Sequence, residues 1–465
     1  MDKNEIYALL FDRYVKPTES KKTRLVGIEI ELPILNMRKE PVDFDFVHDV
    51  ADKFSERFNF EPVKRDENGQ AFLYENNGTN DSLSFDCSYN NIELSLGCAT
   101  DLHHLNERFN DYYTALNDLL EENDHKLTGM GVNPYRIYNN NIPIPTGRYR
   151  MLYHHLHSYP KYLRVPMHFH HYPEFGTFAS ASQVQLDVSK EELLKTIRAF
   201  TRVEPIKALI FSNSILIGEM EDIICARDMF WENSTHGINP HNVGMYEYDF
   251  YSESELLDYI ASTSIYCVER GDKYINFEPV QILEYFNKDE VRGEYYDKAD
   301  GCYKEITVKP EKNDIIYLRT FKFEDLTFRG TIEFRSCCAQ PVRDTMTVGA
   351  FHLGLQQKLD ELDSLLENDN ILYHHGYTPN ELRHLFVRES YPAYLDKNDL
   401  VDLTYKVLEL ADSGLRARGF GEEVFLKPLY ARVAQKTNPS VNMLKKIHEG
   451  ISLEEIIEDY STLSN

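Results

Sequence analysis

Apolar and polar residues alternate with a period of two in four short stretches of the chain. In LVGIEIELPIL (residues 25–35), Ile28, Ile30 and Leu32 fall on one side, Glu29 and Glu31 on the other. NNIELSLG sets Ile92, Leu94 and Leu96 against Asn91, Glu93 and Ser95; SQVQLDVS sets Val184, Leu186 and Val188 against Gln183, Gln185 and Asp187. GTIEFRS sets Ile332 and Phe334 against Thr331, Glu333 and Arg335. Successive strand side chains point to opposite faces, so this pattern predicts strands of an antiparallel sheet with one face on an apolar core. From about residue 344 the spacing changes to three and four, as in AFHLGLQQKLDELDSLLE and LVDLTYKVLELADSGLRARG, and predicts helices. Helix starts are marked by Ser/Thr-x-x-Glu pairs at Ser189/Glu192, Ser252/Glu255, Thr378/Glu381 (with Pro379 in the first turn) and Ser452/Glu455. The expected class is α+β: a mostly antiparallel sheet backed by helices, with a helical C-terminal third. No repeat or Gly/Ser/Pro-rich linker interrupts the chain, so one domain over 1–465 is expected, sheet-rich over 24–343 and mostly helical over 344–465.

Composition narrows the partners. Lysine and arginine number 50 against 76 acids, a formal charge of −26, which disfavours nucleic acid or an anionic membrane. The seven cysteines are scattered without a CxxC pair, so neither a disulfide framework nor a zinc ribbon is indicated, and a reducing cytoplasm suits them. No stretch approaches 18 apolar residues and the N-terminus has no apolar signal core, so a soluble cytoplasmic protein is expected. Oligomeric state is not legible.

The polar faces of the four strands carry the chemistry. A single polar face most simply meets water, but these four hold Glu29, Glu31, Glu93, Gln183, Gln185, Glu333 and Arg335 and no lysine. Carboxylates at that density repel, so neighbouring strands imply a compensating cation. Oxygen-only ligands suit the hard ions Mg²⁺ and Mn²⁺, whereas zinc favours histidine or cysteine. The inner face of the sheet is therefore predicted to bind divalent metal and a phosphate-bearing substrate.

Several stretches, in order, resemble the glutamate–cysteine ligase family, its plant and bacterial class in particular, within the glutamine synthetase-like carboxylate-amine ligases. GIEIEL is similar to the opening G-x-E-x-E strand, and SLSFDCSYNNIELSLG to an acidic turn leading into a glutamate strand. PTGRYRMLYHHL, SQVQLDVS, ALIFSNSILIGEM, CARDMFWENSTHGINPHNVG, FRGTIEFRSCCAQP and ADSGLRARGFGEEVFLKPLYARV follow, so the resemblance covers about residues 24 to 444. It implies a six-stranded antiparallel funnel ringed by helices, ATP as a substrate, and two or three Mg²⁺ ions, with Mn²⁺ as an alternative. The implied reaction activates the side-chain carboxylate of glutamate as an acyl phosphate, which the amine of cysteine then attacks. Carried over by position, the resemblance implies Glu29, Glu31, Glu93 and Glu333 as metal ligands, and Arg335 as the residue neutralising the phosphate. Asp86 would help place the incoming amine and Arg329 would meet the nucleotide phosphates. Arg227 would bind the glutamate substrate, with Gln183, Arg148, Arg150 and Trp231 also assigned to the substrate pocket.

Other readings stay open at this level. Arg148 and Arg150 fit the anionic pocket and a surface pair equally well, and a lone Trp231 is more often core packing than a stacking platform. The segment between residues 153 and 175, with His154, His155, His157, His168, His170 and His171, reads either as an added metal or recognition element or, with more weight, as an aromatic-packed loop. Cys337–Cys338 lacks a histidine partner and reads as apolar filler rather than a nucleophile. Alternatives to the ligase with cysteine are a relative that joins another amino acid or amine, a carboxylate-pair hydrolase such as a glycosidase, and a non-catalytic scaffold of the same fold.

Overall fold

The structure, a computed structural model, describes residues 1–20, 25–369, 376–392 and 394–463. The first half of the main sheet is built from β1 (Val26–Asn36), β2 (Glu61–Arg65), β3 (Ala71–Asn76), β4 (Asp81–Phe85), β5 (Asn91–Ala99), β6 (His125–Leu127) and β7 (Ser182–Asp187). A parallel two-residue pair joins β8 (Val243–Gly244) to a later strand, and a four-stranded meander follows: β9 (Ser264–Arg270), β10 (Lys273–Gln281), β11 (Val291–Asp297) and β12 (Cys302–Val308). The chain then adds β13 (Phe321–Lys322), the partner of β8, and returns to the main sheet with β14 (Glu324–Leu326) and β15 (Thr331–Phe334). The main sheet runs β14-β15-β7-β1-β5-β4-β3-β2, with β6 paired to the far end of β1. All its pairings are antiparallel. It is thus wider than the six strands implied from sequence, because short β2, β3 and β14 extend both edges.

Register explains why the alternation was so regular. Ile28, Ile30 and Leu32 of β1 lie opposite Leu96, Leu94 and Ile92 of β5, and across β7 Ile28 meets Val184. These side chains are buried, together with Leu186, Ile332 and Phe334, and make one face of the sheet a continuous apolar layer. Helices cover it. Gly349, in the helix Met346–Gln357, lets that helix approach Ile28 closely: a methyl group there would lie 2.8 Å from the Ile28 Cδ1. A second crossing, between this helix and Lys397–Arg418, depends on Gly354 and Gly414, whose added methyls would overlap the carbonyls of Ala411 and Gly354 respectively.

Three of the four predicted helix starts are capping boxes with both hydrogen bonds formed: Ser252/Glu255, Thr378/Glu381 and Ser452/Glu455. At Ser189/Glu192 the pair closes a turn instead, and the helix starts at Leu193 with Glu192 as its N-cap. No helix among the described residues is long and apolar enough to cross a membrane.

The other face of the sheet is polar, and the meander packs on the helix Gly147–Leu156, whose Gly147 rests on Tyr274 of β10. The Gly354/Gly414 crossing gives a direct check on this scaffold. Gly414→Ala should destabilise the fold by about 1–3 kcal/mol in urea or guanidinium unfolding, because two backbones in contact leave no room for a methyl. An unchanged unfolding midpoint would show that the helices separate easily there.

Candidate metal and substrate site

The polar face assembles the acids that lie far apart in sequence. Glu31 of β1 stands directly opposite Glu93 of β5, and Glu29 lies between Ser95 and Gln183. On the other flank Gln185 of β7 stands opposite Glu333 of β15, which in turn faces Asp325 of β14. Like charges directly opposite across strands are unfavourable, so this register is costly unless something offsets it. The protein offsets part of it with hydrogen bonds. The Ala181 amide and the Gln183 Nε2 donate to the two oxygens of Glu31 at 2.7 and 2.9 Å. Ser95 and Ser84 hydroxyls donate to Glu93 Oε1 at 3.0 and 3.3 Å. Gln185 Nε2 bridges Glu29 (2.9 Å) and Glu333 (3.3 Å), and its own oxygen accepts from Arg329 at 3.1 Å.

Two adjoining groups of acids result. In the first, one carboxylate oxygen each from Glu31, Asp86 and Glu93 lie within 4.8 Å of one another. Asp86 follows β4 in a tight connection whose next residue, Cys87, sits in the left-handed region at φ 60°, a conformation that costs on the order of 1 kcal/mol for a side chain with a Cβ. The second group is Glu29 and Glu333, tied by Gln185. Glu29 and Glu31 are two residues apart on one strand face, so the groups are separated by about 7 Å.

The electrostatics follow from burial and crowding. Burial, with Asp86 and Glu93 nearby, pushes Glu31 up to about 8, although Arg227 pulls the other way. Burial and then Asp86 push Glu93 up to about 7. Glu29 is raised well above the usual carboxylate range by burial and by Glu333 and Glu93. Burial also raises Asp86, against Arg148 and Arg335. Burial works against the Arg335 charge too, but Glu333 and Asp325 outweigh it, and Arg335 donates to Glu333 Oε2 at 2.8 Å. Crowded, oxygen-only and short of positive charge, this set of donors fits hard divalent cations. The buried Gln183 Oε1 has no hydrogen-bond partner, which leaves another oxygen available there.

A sequence profile of the glutamate–cysteine ligase family 2 matches residues 25–456. The chain belongs to that family. Chloroplastic glutamate–cysteine ligase from Solanum lycopersicum is 24% identical over 434 residues, covering 90% of this chain and 75% of the relative. The chloroplastic enzyme of Arabidopsis thaliana is 23% identical over 468 residues, covering 96% and 79%. Among solved structures, a glutamate–cysteine ligase from Francisella tularensis in complex with AMP aligns with a TM-score of 0.43 at 11% identity, covering 96% of this chain and 88% of that one.

In this family 2 member the structure brings most of the residues singled out from sequence to one face of the sheet. Glu29, Glu31, Glu93, Glu333, Gln183 and Asp86 gather there, with Arg335 and Arg227 beside them. The Arg227 guanidinium donates to the carbonyls of Cys337 (3.2 Å), Ser336 (3.4 Å) and Arg335 (3.4 Å), and its charge is felt at Glu31. Arg148 lies within electrostatic reach of Asp86, and Arg329 stands at the exposed end beside Gln185. Arg150 is turned elsewhere: it pairs with Glu67 (3.0 Å) and lies 4.5 Å over the Tyr296 ring. Residues two apart on a helix point in different directions, so Arg148 and Arg150 cannot both face the acids. Trp231 stacks on Phe321, centroids 4.7 Å apart, and meets Phe175 edge-on; Phe321 in turn lies 5.8 Å beneath Arg335. It packs behind Arg335.

The histidine-rich segment is packed at His154, His155 and His170 and exposed at His168 and His171. His154 pairs with Glu294 at 2.8 Å, His155 stacks on Tyr266, and His170 bonds to the Phe230 carbonyl at 2.9 Å. Cys337 and Cys338 are buried in the apolar core, as the filler reading expects, with the Cys338 sulfur 3.6 Å from that of Cys225. Two charged residues escaped sequence reading. Asp325 is raised to about 7 by burial, against Arg335. Arg319 acts with Arg148 on Tyr266 and Cys267. The three-residue strand carrying Asp325 is too short to show a period, and Arg319 precedes β13 in an irregular segment.

The raised carboxyls fix the sign of a pH effect. They bind protons more tightly folded than unfolded, so their contribution to stability is present at low pH and declines as pH rises above the usual glutamate range, through about 7 for Glu93 and about 8 for Glu31. Without divalent cation, the thermal midpoint should fall between about pH 6 and about pH 8.5, and Glu31→Gln should flatten that fall. Added Mg²⁺ or Mn²⁺ should raise the midpoint more at the higher pH, since protons no longer compete; an equal rise at both would contradict the assignment.

Proposed function

We propose that this protein is an ATP-dependent ligase that joins the γ-carboxylate of glutamate to the amine of cysteine through a γ-glutamyl phosphate. The reading rests on one observation, the Glu31–Asp86–Glu93 cluster beside Arg227 and Arg335, in a chain of family 2 whose named relatives are glutamate–cysteine ligases. Glu31 and Glu93, with Asp86, would hold one divalent cation, and Glu29 and Glu333 a second. When bound, those ions neutralise the polyphosphate and the charge that spreads over the transferring phosphoryl group.

The chain's own groups account for the remaining demands. A glutamate carboxylate and ATP are both anions, and Arg227 and Arg335 supply fixed positive charge where they must meet. Arg335 is kept ionised by Glu333 and Asp325, so it remains a cation without reorganising. The γ-carboxylate oxygen attacks the terminal phosphorus and ADP departs. The acceptor nitrogen then attacks the acyl carbon, inorganic phosphate leaves, and the nitrogen loses a proton. Asp86, at this cluster and within reach of Arg148, orients the amine and takes that proton. Arg329 at the exposed end meets the nucleotide side.

Purified protein with ATP, Mg²⁺ and L-glutamate should release phosphate in step with amide formation only when an amine is added, and cysteine should lead a panel of amino acids. Phosphate release that ignores the amino acids would sink the ligase reading. Glu31→Gln should lower turnover by about 100-fold or more, since loss of a metal-supported contribution of several kcal/mol is worth that much. Its thermal midpoint in metal-free buffer should hold or rise, because one member of a repelling group has been neutralised. A collapsed midpoint would make Glu31 a structural residue.

A further inference from the structure

Arg383 lies in the helix Pro379–Phe386, 155 residues from its nearest acidic partner in sequence, and is 2% exposed. All three nitrogens of its guanidinium donate hydrogen bonds. Nε and one terminal nitrogen donate to the two oxygens of Asp228 at 2.6 and 3.0 Å, and the other terminal nitrogen donates to the Glu204 carbonyl at 2.9 Å and to Glu204 Oε2 at 2.5 Å. The plane of the fork rests 4.5 Å over Phe323. Each acid leads to an arginine of the site. Asp228 is the residue after Arg227 in the helix Ala226–Glu232. Glu204 accepts from the Ser336 hydroxyl at 3.0 Å, and Ser336 follows Arg335. The loop is closed by Arg227 itself, which donates to the carbonyls of Arg335, Ser336 and Cys337.

Stability alone is a poor reason for such an arrangement. Desolvating this many charges roughly cancels what their pairing returns, and well-packed apolar residues usually do as well. A forked, bidentate guanidinium does fix direction, which a point charge or an apolar contact does not. We propose that Arg383 is a positioning residue of the ligase site: from the C-terminal helices it sets the height of the Ala226–Glu232 helix, and so the placement of Arg227 beside Glu31, while pinning Ser336 under Arg335. This rests on the ligase reading above, with Arg227 as the residue that meets the glutamate substrate.

The test is a double-mutant cycle. Arg383→Lys keeps the charge but loses the fork. It should raise the KM for glutamate about 10-fold, with the KM for ATP within about 2-fold of wild type. Its thermal midpoint should stay within about 4 °C of wild type. In an Arg227→Lys background the same change should add no further rise, because its effect passes through Arg227. If Arg383→Lys does not fold, Asp228→Asn, which leaves Arg383 its Glu204 contacts, goes through the same cycle. Additive rises in KM, an equal rise for ATP, or wild-type kinetics in Arg383→Lys would overturn the proposal while amide formation by the wild type still stands. A wild type that forms no amide overturns the ligase reading instead, and this inference with it.

Discussion

Mutual repulsion among carboxylates on one face of a sheet is the constraint on which the rest of the structure depends. Backbone pairing, not side-chain affinity, puts Glu31 opposite Glu93 and brings Gln185 against Glu29 and Glu333. A one-residue slip of any of these strands would turn its acids into the apolar layer, so the same register that buries Ile28, Ile30 and Leu32 obliges Glu29 and Glu31 to face each other's neighbours. The apolar face therefore supplies the free energy that holds an unfavourable polar face together. Raised carboxyls are the visible residue of that conflict, and a divalent cation is its natural relief.

The surrounding architecture reads as a set of supports for this face. Small residues let helices close over the apolar side, as at Gly349 against Ile28. Serine and glutamine side chains orient the acids without adding charge. The arginines stand beside them, each held by a different part of the chain: Arg335 by its own strand neighbour Glu333, Arg227 by the carbonyls after β15, Arg329 by Gln185. A buried polar face with arginines at its edge and an excess of acid is what the proposed ligation requires, two anionic substrates meeting around metal.

Much of this was legible in the chain because a period of two carries both faces at once. The alternation announced four strands, each with a glutamate or glutamine face; that Glu29, Glu31, Glu93 and Glu333 form one set came from the family resemblance, and the pairing of these strands as neighbours came from the structure. What escaped notice did so for physical reasons. Asp325 sits on a strand of three residues, and Glu324 beside it points into the core, so no alternation marks either. Arg150 looked equivalent to Arg148 in a linear reading, but helical geometry sends it to Glu67 and Tyr296. Ser189/Glu192 had the letters of a capping box and closed a turn ahead of its helix. Arg383 lay in an ordinary amphipathic pattern, where nothing local distinguishes a buried arginine from a solvated one; its importance exists only once Asp228 and Glu204 are brought to it.

On the proposed ligase reading, these acids form one cation-binding floor beneath ATP. Anomalous scattering from manganese, in crystals grown with Mn²⁺ and a non-hydrolysable ATP analogue, tests it most directly. Peaks among Glu31, Asp86 and Glu93 and between Glu29 and Glu333, with oxygen ligands at about 2.0–2.2 Å and the analogue's phosphates alongside, are the predicted result. Manganese found only on exposed surface acids, with these carboxyls paired to one another through protons, would contradict it.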